Sequence, residues 1–448
     1  ALTDGGKNAY SPKVSTPVGR GIGVKLLQQI QRASKVVNNL ADRIDGRRMS
    51  LREAEDEILD FANCVGGLME QELVDQLREP MIENRAFVEG KEAVYDGDRQ
   101  THYINRFGGQ TKLKRRGYKL KHESGCWYPL DEKLGLDRCK GFSPLMSYLL
   151  VLHGANKPFG ESAETLSETL GFSLSATAVQ ANTESIGAQI SDDPYETIEV
   201  EPGQEACDVM VVEVDGTTSP QISAKEGITG REGLKEHTEW KECNVVTIQK
   251  YREGNEIDCW IGARYGPREG FNQLVRRGAL KMGQLYAHRE AFIADGLPNN
   301  WQIQADNFPE ATCILDFYHA SEHLDAYCKL FDDPEMAEKR YQRWYQMFLE
   351  GEVLQAIAEM TSSLPELTDS PKGAGQVRYF QKNIDRMSYD QYREAGLPIG
   401  SGKVEANCKF VIAKRFKGSG MRWKKADNIA VLKARLAKLN GQLKSHFR

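Results

Sequence analysis

The sequence predicts an α/β domain on a mixed sheet, interrupted by an all-α block and preceded by a mostly helical N-terminal region. Three observations carry that prediction. Short β-branched runs, led by Cys207-Asp-Val-Met-Val-Val-Glu-Val-Asp-Gly216, alternate with helical stretches in the second half. Residues 191–205 hold six acids, two prolines and no Lys or Arg, which marks a domain boundary. Long charged stretches of helical period, 322–360 and 377–392, broken by Pro365 and Pro371, then separate the last strand signal from a Gly-rich turn at 397–405.

The bulk numbers bound the rest. A chain of 448 residues exceeds one ordinary core, so several domains are expected. Apolar content of 40% and charged content of 27% are those of a globular protein. A net charge of -5 argues against a uniformly basic nucleic-acid coat but leaves room for local patches. Nine cysteines without a C-x-x-C pair read as free thiols in a reducing, cytoplasmic setting. There is no run of 18 apolar residues, so no membrane span is expected. The opening residues 1–20 lack a signal-type apolar core and read as a flexible arm.

In chain order, residues 24–77 are helical, with Ser50-x-x-Glu53 as a capping box. Residues 87–99 are too mixed to assign. Residues 106–122 carry seven Lys/Arg and no acid, with Phe107 and Tyr118 interleaved. That is either a solvated basic hairpin or a phosphate-contacting surface using Lys112, Lys114, Arg115 and Arg116. His122, Cys126 and Cys139 offer three of the four ligands a structural zinc would need. Ala163, Leu166, Leu170 and Phe172 make one helix face, Gly171 a turn, and Ser175 a cap for a second helix through Val179 and Ile186. This is the helix-turn-helix outline, which many inert hairpins share.

Beyond the acidic boundary, 207–216 is expected to be a strand with Asp215 at its carboxyl end and Gly216 opening a turn. Residues 244–249 and 257–263 pair as a hairpin around Glu253-Gly-Asn. Residues 271–288 are helical, 291–295 a strand ending in Asp-Gly, 299–307 helical, and 311–316 a strand leading into Phe-Tyr-His319. From Lys403 to Arg448 there are 13 Lys/Arg against two acids, and Ile429, Leu432, Leu436 and Leu439 share one helical face.

The chemistry-bearing set is Asp215, Asp295 and Glu405. Two acids end apolar runs before a glycine, and the third sits on the first turn of a helix behind a flexible loop. Three carboxylates can hold two Mg²⁺ ions, which favour hard oxygen ligands. Two such ions about 3.5–4 Å apart activate a nucleophile and stabilise a leaving oxygen. Taken singly, each acid reads equally as a cap or a solvated residue.

The blocks Val-Asp215-Gly, Ala-Asp295-Gly with Asn300-Trp301, Ile-Leu-Asp316-Phe-Tyr-His319-Ala-Ser-Glu322-His323-Leu, Ile399-Gly-Ser-Gly-Lys-Val-Glu405-Ala-Asn-Cys-Lys and Gly-Ser-Gly-Met421-Arg-Trp423 resemble those of DDE transposases of bacterial insertion sequences. The likeness is to the Kra-type family, related to the Mutator-like group, and runs from about Leu113 to Leu439. It implies an RNase H-like sheet carrying Asp215, Asp295 and Glu405 as a metal-binding triad, with a helical insertion before the last acid. Asp316 stands as the alternative second acid. His319 and His323, at i and i+4, look like metal ligands or like buttresses of the fold near the site. The family often carries a Cys-x-x-Cys ribbon before Pro-Leu-Asp; here Pro129-Leu-Asp131 keeps only Cys126.

The expected organisation is a helical region with an arm at 1–100, a basic hairpin with a helix-turn-helix at 101–190, catalytic domain at 206–325, helical insertion at 326–396, and the last catalytic part with a basic helix at 397–448. The resemblance implies a transposase binding double-stranded DNA at terminal inverted repeats and target, as a homodimer or larger assembly. Two Mg²⁺ ions would serve, with Mn²⁺ as substitute. Lys409, Lys414, Arg415, Arg422 and Trp423 are the expected DNA contacts of the C-terminal patch. The rival readings are an inactive DNA-binding regulator derived from such an enzyme and an RNase H-like nuclease.

Overall fold

A computed structural model describes residues 20–77, 80, 82–88, 90–121, 125–191, 206–222, 237–363 and 370–447. The arm at 1–19, the acidic stretch 192–205, His122 and Pro365 lie outside the described residues. The chain divides into two compact units, Ala1–Ser147 with Glu164–Leu174, and Tyr148–Ala163 with Ser175–Arg448.

In the first unit, α1 (Arg20–Asp45) and α2 (Leu51–Asp75) meet through Leu40, Met49 and Ala54. The Ser50 hydroxyl accepts from the Glu53 backbone N–H, and the Glu53 carboxylate accepts from that of Ser50, so the expected capping box forms. Helix does not continue. Residues 85–127 form a four-stranded antiparallel sheet of β1 (Arg85–Val88), β2 (Lys91–Ile104), β3 (Gln110–Leu120) and β4 (Cys126–Trp127), in that order. The expectation of a mostly helical N-terminal region therefore stops at α2. The unassigned 87–99 stretch holds the end of β1 and the start of β2, where Ala93 is buried; further along β2, Tyr103 shares a core with Leu113, Val74 and Leu130. Buried Asn105 shapes the β2–β3 turn: its carbonyl accepts the Phe107 and Gly109 N–H groups and its amide donates to Thr111. The Gln71 side chain pairs with both backbone groups of Lys112 and ties α2 to β3.

The second unit is mixed α/β. Its sheet runs β7-β6-β5-β8-β9, with β10 off that path beside β5. Central β5 (Cys207–Ile222) pairs antiparallel with β6 (Thr238–Arg252), which pairs antiparallel with β7 (Asn255–Tyr265). Glu253 (φ 50) and Gly254 (φ 76) make the tight hairpin the sequence predicts. On its other side β5 pairs parallel with β8 (Ala287–Ala294), and β8 with β9 (Thr312–Leu315). Val209 to Val214 are buried on both faces, which is why the run reads as continuous rather than alternating. β5 is longer than expected: Asp215 and Gly216 lie within it, paired to Val245 and Asn244, so Gly216 opens no turn. His288 lies in β8 rather than in the preceding helix α7 (Arg268–Lys281).

The described elements between β9 and the Gly-rich turn are helices. They form α9 (Phe317–Cys328), α10 (Pro334–Leu349), α11 (Val353–Ser363), α12 (Pro371–Asn383) and α13 (Tyr389–Glu394), after α8 (Pro298–Asn307) between β8 and β9. Trp344, Phe348, Phe380 and Tyr389 join the sheet's own core, and the Tyr389 hydroxyl donates to the Leu315 carbonyl. This block is packed onto the sheet. The chain closes with α14 (Gly402–Asn407), a π-helical turn at Cys408–Ala413, β10 (Trp423–Lys424) and α15 (Lys425–Leu439).

After α3 (Pro129–Leu134) and α4 (Pro144–Gly154), the expected hairpin forms locally: α5 (Phe159–Leu170), Gly171 at φ 75, and α6 (Ala176–Gln189) capped by Ser175. Val179, Asn182, Thr183, Ile186 and Gly187 are buried, and α6 lies against α15. Its open edge, Ala176, Thr177 and Gln180, carries no cation. The outline of the motif records two helices and a turn, but not which face the rest of the chain covers.

Candidate active site

The parallel pairing places the acids. Val214 pairs with Ala294, and Ala294 with Leu315, as the last register positions of β5–β8 and β8–β9. Asp215, Asp295 and Asp316 are each the next residue, so the three stand in a row across adjacent strands. This is the carboxyl edge of the parallel strands, where α/β sheets place ligands.

Their environments differ. Burial pushes the Asp215 carboxyl up from its ordinary value, against the Gly216 N–H and the nearby His319. Asp295 Oδ1 accepts from the Leu297 N–H at 3.1 Å and from Asn300 Nδ2 at 2.7 Å. Arg268 holds Asn300 in turn, donating to its Oδ1 at 2.7 Å. Asp295 Oδ2 has no hydrogen bond among the described residues. Asp316 is buried and caps α9. Oδ1 accepts the Tyr318 and Ser401 N–H groups at 3.3 and 2.8 Å. Oδ2 accepts the His319 N–H at 3.2 Å and meets His319 Nδ1 at 2.5 Å. Four donors match the lone-pair sites of a carboxylate, so Asp316 has none left for a metal. Burial would raise its pKa, but the bonds from His319 and Ser401 outweigh that and hold it below the ordinary value.

His319 moves the other way. Its bond to Asp316 pushes it up to about 9 against the effect of burial, helped by the charges of Asp316, Asp215 and Asp295. It is an imidazolium at neutral pH. His323 is a buttress: Nδ1 meets Gln376 Oε1 at 2.5 Å, and the ring stacks on Tyr379 at 3.6 Å. The two histidines serve separate contacts.

Glu405 lies on α14, half-buried, with Lys409 Nζ 2.5 Å from its carboxylate. One helical turn on, Cys408 bonds the Asp215 carboxylate through its thiol. α14 is thus laid against the Asp215 strand. Among the described residues, no three Asp, Glu, His or Cys side chains stand close enough together to hold a metal. The donor chemistry at the edge is nonetheless that of a hard cation: Asp215 and Asp295 are carboxylates on neighbouring strands, and Asp295 keeps a free oxygen.

Glu213, which sequence reasoning passed over, is buried two residues before Asp215 on the same strand face. Oε1 accepts from Gln249 Nε2 at 3.0 Å and Oε2 from the Val404 N–H at 2.7 Å. Burial pushes its carboxyl up to about 7, with those bonds opposing. An acid inside a β-branched run was the available signal.

The expected DNA contacts split into two kinds. Lys112 and Lys114 project from the exposed face of β3, and Lys409 and Lys414 are exposed, Lys409 paired with Glu405. The others have partners within the protein. Arg115 pairs with Asp131 and stacks over Tyr128 at 3.7 Å. Arg116 lies over Tyr95 at 4.4 Å and bonds the Ile82 carbonyl. Arg415 is 1% exposed; its Nε and Nη2 donate to the Gly154 carbonyl, and it stacks over Phe159 and Trp423. Arg422 is half-buried on the Met421 carbonyl, and Trp423 is buried with Nε1 donating to Phe416. Guanidinium caps carbonyls and stacks on rings as readily as it meets phosphate, so a charge count does not separate the uses. Cys126 is exposed, and the Cys139 thiol donates to the Gly135 carbonyl.

No family model matches the sequence, and no curated protein matches it. Among solved structures, the chain is similar to the Drosophila P element transposase strand transfer complex at 10% identity and a TM-score of 0.35, over 70% of this chain and 96% of that chain. At that score the likeness carries no argument.

Proposed function

We propose that the chain is a DNA transposase of the DDE type, with an RNase H-like catalytic sheet, a helical insertion and an active edge at Asp215, Asp295 and Glu405. The observation that carries this reading is the register: Asp215 and Asp295 are consecutive across β5 and β8, and α14, the helix of Glu405, is tied to β5 by the Val404 N–H on Glu213. The mixed order, an antiparallel meander on one side of β5 and two parallel strands on the other, supports an RNase H-like sheet. Asp215, Asp295 and Glu405 would hold two Mg²⁺ ions, or Mn²⁺, which when bound activate the nucleophile and stabilise the leaving oxygen. With Asp316 saturated, Asp295 is the better second acid.

The reaction follows from that chemistry. Water attacks the phosphorus at a transposon end, and the 3′ oxygen leaves as a hydroxyl. That hydroxyl attacks a phosphodiester of target DNA, releasing one strand as a new 3′ end. Protein groups position and neutralise, which phosphoryl transfer chiefly requires. Exposed Lys112, Lys114 and Lys414 are suited to backbone phosphates. Family membership is proposed as Kra-type, on the blocks around Asp316 and Glu405, and pairing of two ends calls for at least a dimer.

A second reading, an inactive DNA-binding descendant, draws on the Glu405–Lys409 pair, which points the third acid at a lysine. One assay separates the two. Wild type and Asp215→Ala are incubated with Mg²⁺ and a plasmid carrying the coding region and its genomic flanks, with an RNA–DNA hybrid as control. The expected result is end cleavage by wild type, loss of cleavage in Asp215→Ala, and unchanged DNA binding by both. Equal cleavage by both proteins overturns the site. Binding with no cleavage by wild type establishes the second reading.

A further inference from the structure

Two buried carboxylates reach the same short segment. Asp316 Oδ1 accepts the Ser401 N–H at 2.8 Å, and Glu213 Oε2 accepts the Val404 N–H at 2.7 Å. Ser401 is the N-cap of α14 and Val404 lies in its first turn, where backbone N–H groups have no intrahelical partner. Gly402 and Lys403 are exposed, Lys403 pairing with Glu256, so the buried contacts of this turn are those of Ser401 and Val404. Val404 is fully buried and Phe317 donates its N–H to the Ile399 carbonyl, which closes the segment at both ends. The acids come from different elements, β5 and the β9–α9 junction, and each is held from behind: Glu213 by Gln249, Asp316 by His319.

We propose that Glu213 and Asp316 are positioning residues that clamp the segment from Ser401 to Glu405, each taking one backbone N–H from it, and so fix the helix that carries Glu405 against β5. The proposal rests on the reading that Glu405 belongs to the active site. It gives Asp316 a role other than metal ligand. Acceptors at a helix N-terminus satisfy its free backbone donors.

The test uses the full chain with Glu213→Gln, Asp316→Asn and Ser401→Pro. The proline removes the one N–H that Asp316 takes from this segment while leaving both carboxylates in place; Ser401 sits at φ -86, near the proline range. Backbone hydrogen exchange across 399–408 is read beside Mn²⁺ affinity and the rate and KM of DNA cleavage. Each variant is expected to speed exchange in 399–408 at least tenfold with exchange in β5 and β8 unchanged, to weaken Mn²⁺ binding, and to lower kcat with little change in KM for DNA. Ser401→Pro and Asp316→Asn combined should do no more than either alone. If one variant is too unstable to purify, the others carry the same test. Unchanged exchange across 399–408 overturns the clamp. Faster exchange there, with Asp215→Ala still cleaving DNA, leaves the clamp standing and overturns the active-site reading instead.

Discussion

Asp295 and Asp316 end neighbouring strands one residue past the same register, and the sequence treats them alike. Their partners do not. Asp316 receives four donors, among them a histidine ring, whereas Asp295 keeps one oxygen open. The His319 pKa of about 9 records that difference. In the metal-free protein an NMR titration of the His319 ring should give a midpoint near 9, and Asp316→Asn should bring it back toward the ordinary 6.5. The folded-state value is raised, so the stabilisation is complete below about 6.5 and is lost as pH rises through about 9. Asp316 is depressed and contributes in the opposite sense: its stabilisation holds above its ordinary value and fades on acidification. A midpoint near 6.5 in wild type would remove the pair from the account. Arg415 shows the same lesson at a basic residue, since its buried guanidinium closes on the Gly154 carbonyl.

At the scale of elements, α6 and α15 are held by a close approach rather than by large side chains. A Cβ on Gly187 would lie 2.0 Å from the Ala430 carbonyl oxygen, far inside contact. Gly187→Ala must part the two helices, and a loss of about 1–3 kcal/mol is expected from overpacking of this kind. Gly160→Ala in α5 has open space around its Cβ and serves as control, neutral or slightly stabilising. Urea midpoints of the two variants decide it; equal midpoints would mean that α6 and α15 do not cross there. Local signals at Gly171 and Ser175 made the expected helices, and packing on α15 then decided which face of α6 is covered.

For the molecule as a whole, the exposed lysines and the row of acids fall in different units. Lys112 and Lys114 project from β3 of the first unit, and the acids belong to the second. Replacing both lysines by alanine should weaken DNA binding across sequences and reduce the salt slope of log K by about 1.8, since each phosphate contact contributes about 0.9. Arg115→Ala should leave that slope alone and lower stability, because it leaves Asp131 unpaired. A slope unchanged in the double lysine variant would move the DNA surface elsewhere.

The sequence by itself determined the local chemistry: the β-branched runs that became β5, β8 and β9, the caps at Ser50 and Ser175, the Glu253-Gly254 turn, and the short list of acids. These depend on neighbours a few residues away, and such neighbours are visible in one dimension. The tertiary structure decided the rest. β5 passes through Asp215 because β6 runs alongside to pair with it, and Asp215 meets Asp295 through a register set between strands about eighty residues apart in the chain. Glu213 was legible as an acid in an apolar run but not as an anchor, because its partner Val404 lies 191 residues on. Which arginines face solvent and which cap carbonyls is settled by burial, and burial is a property of the packed chain alone.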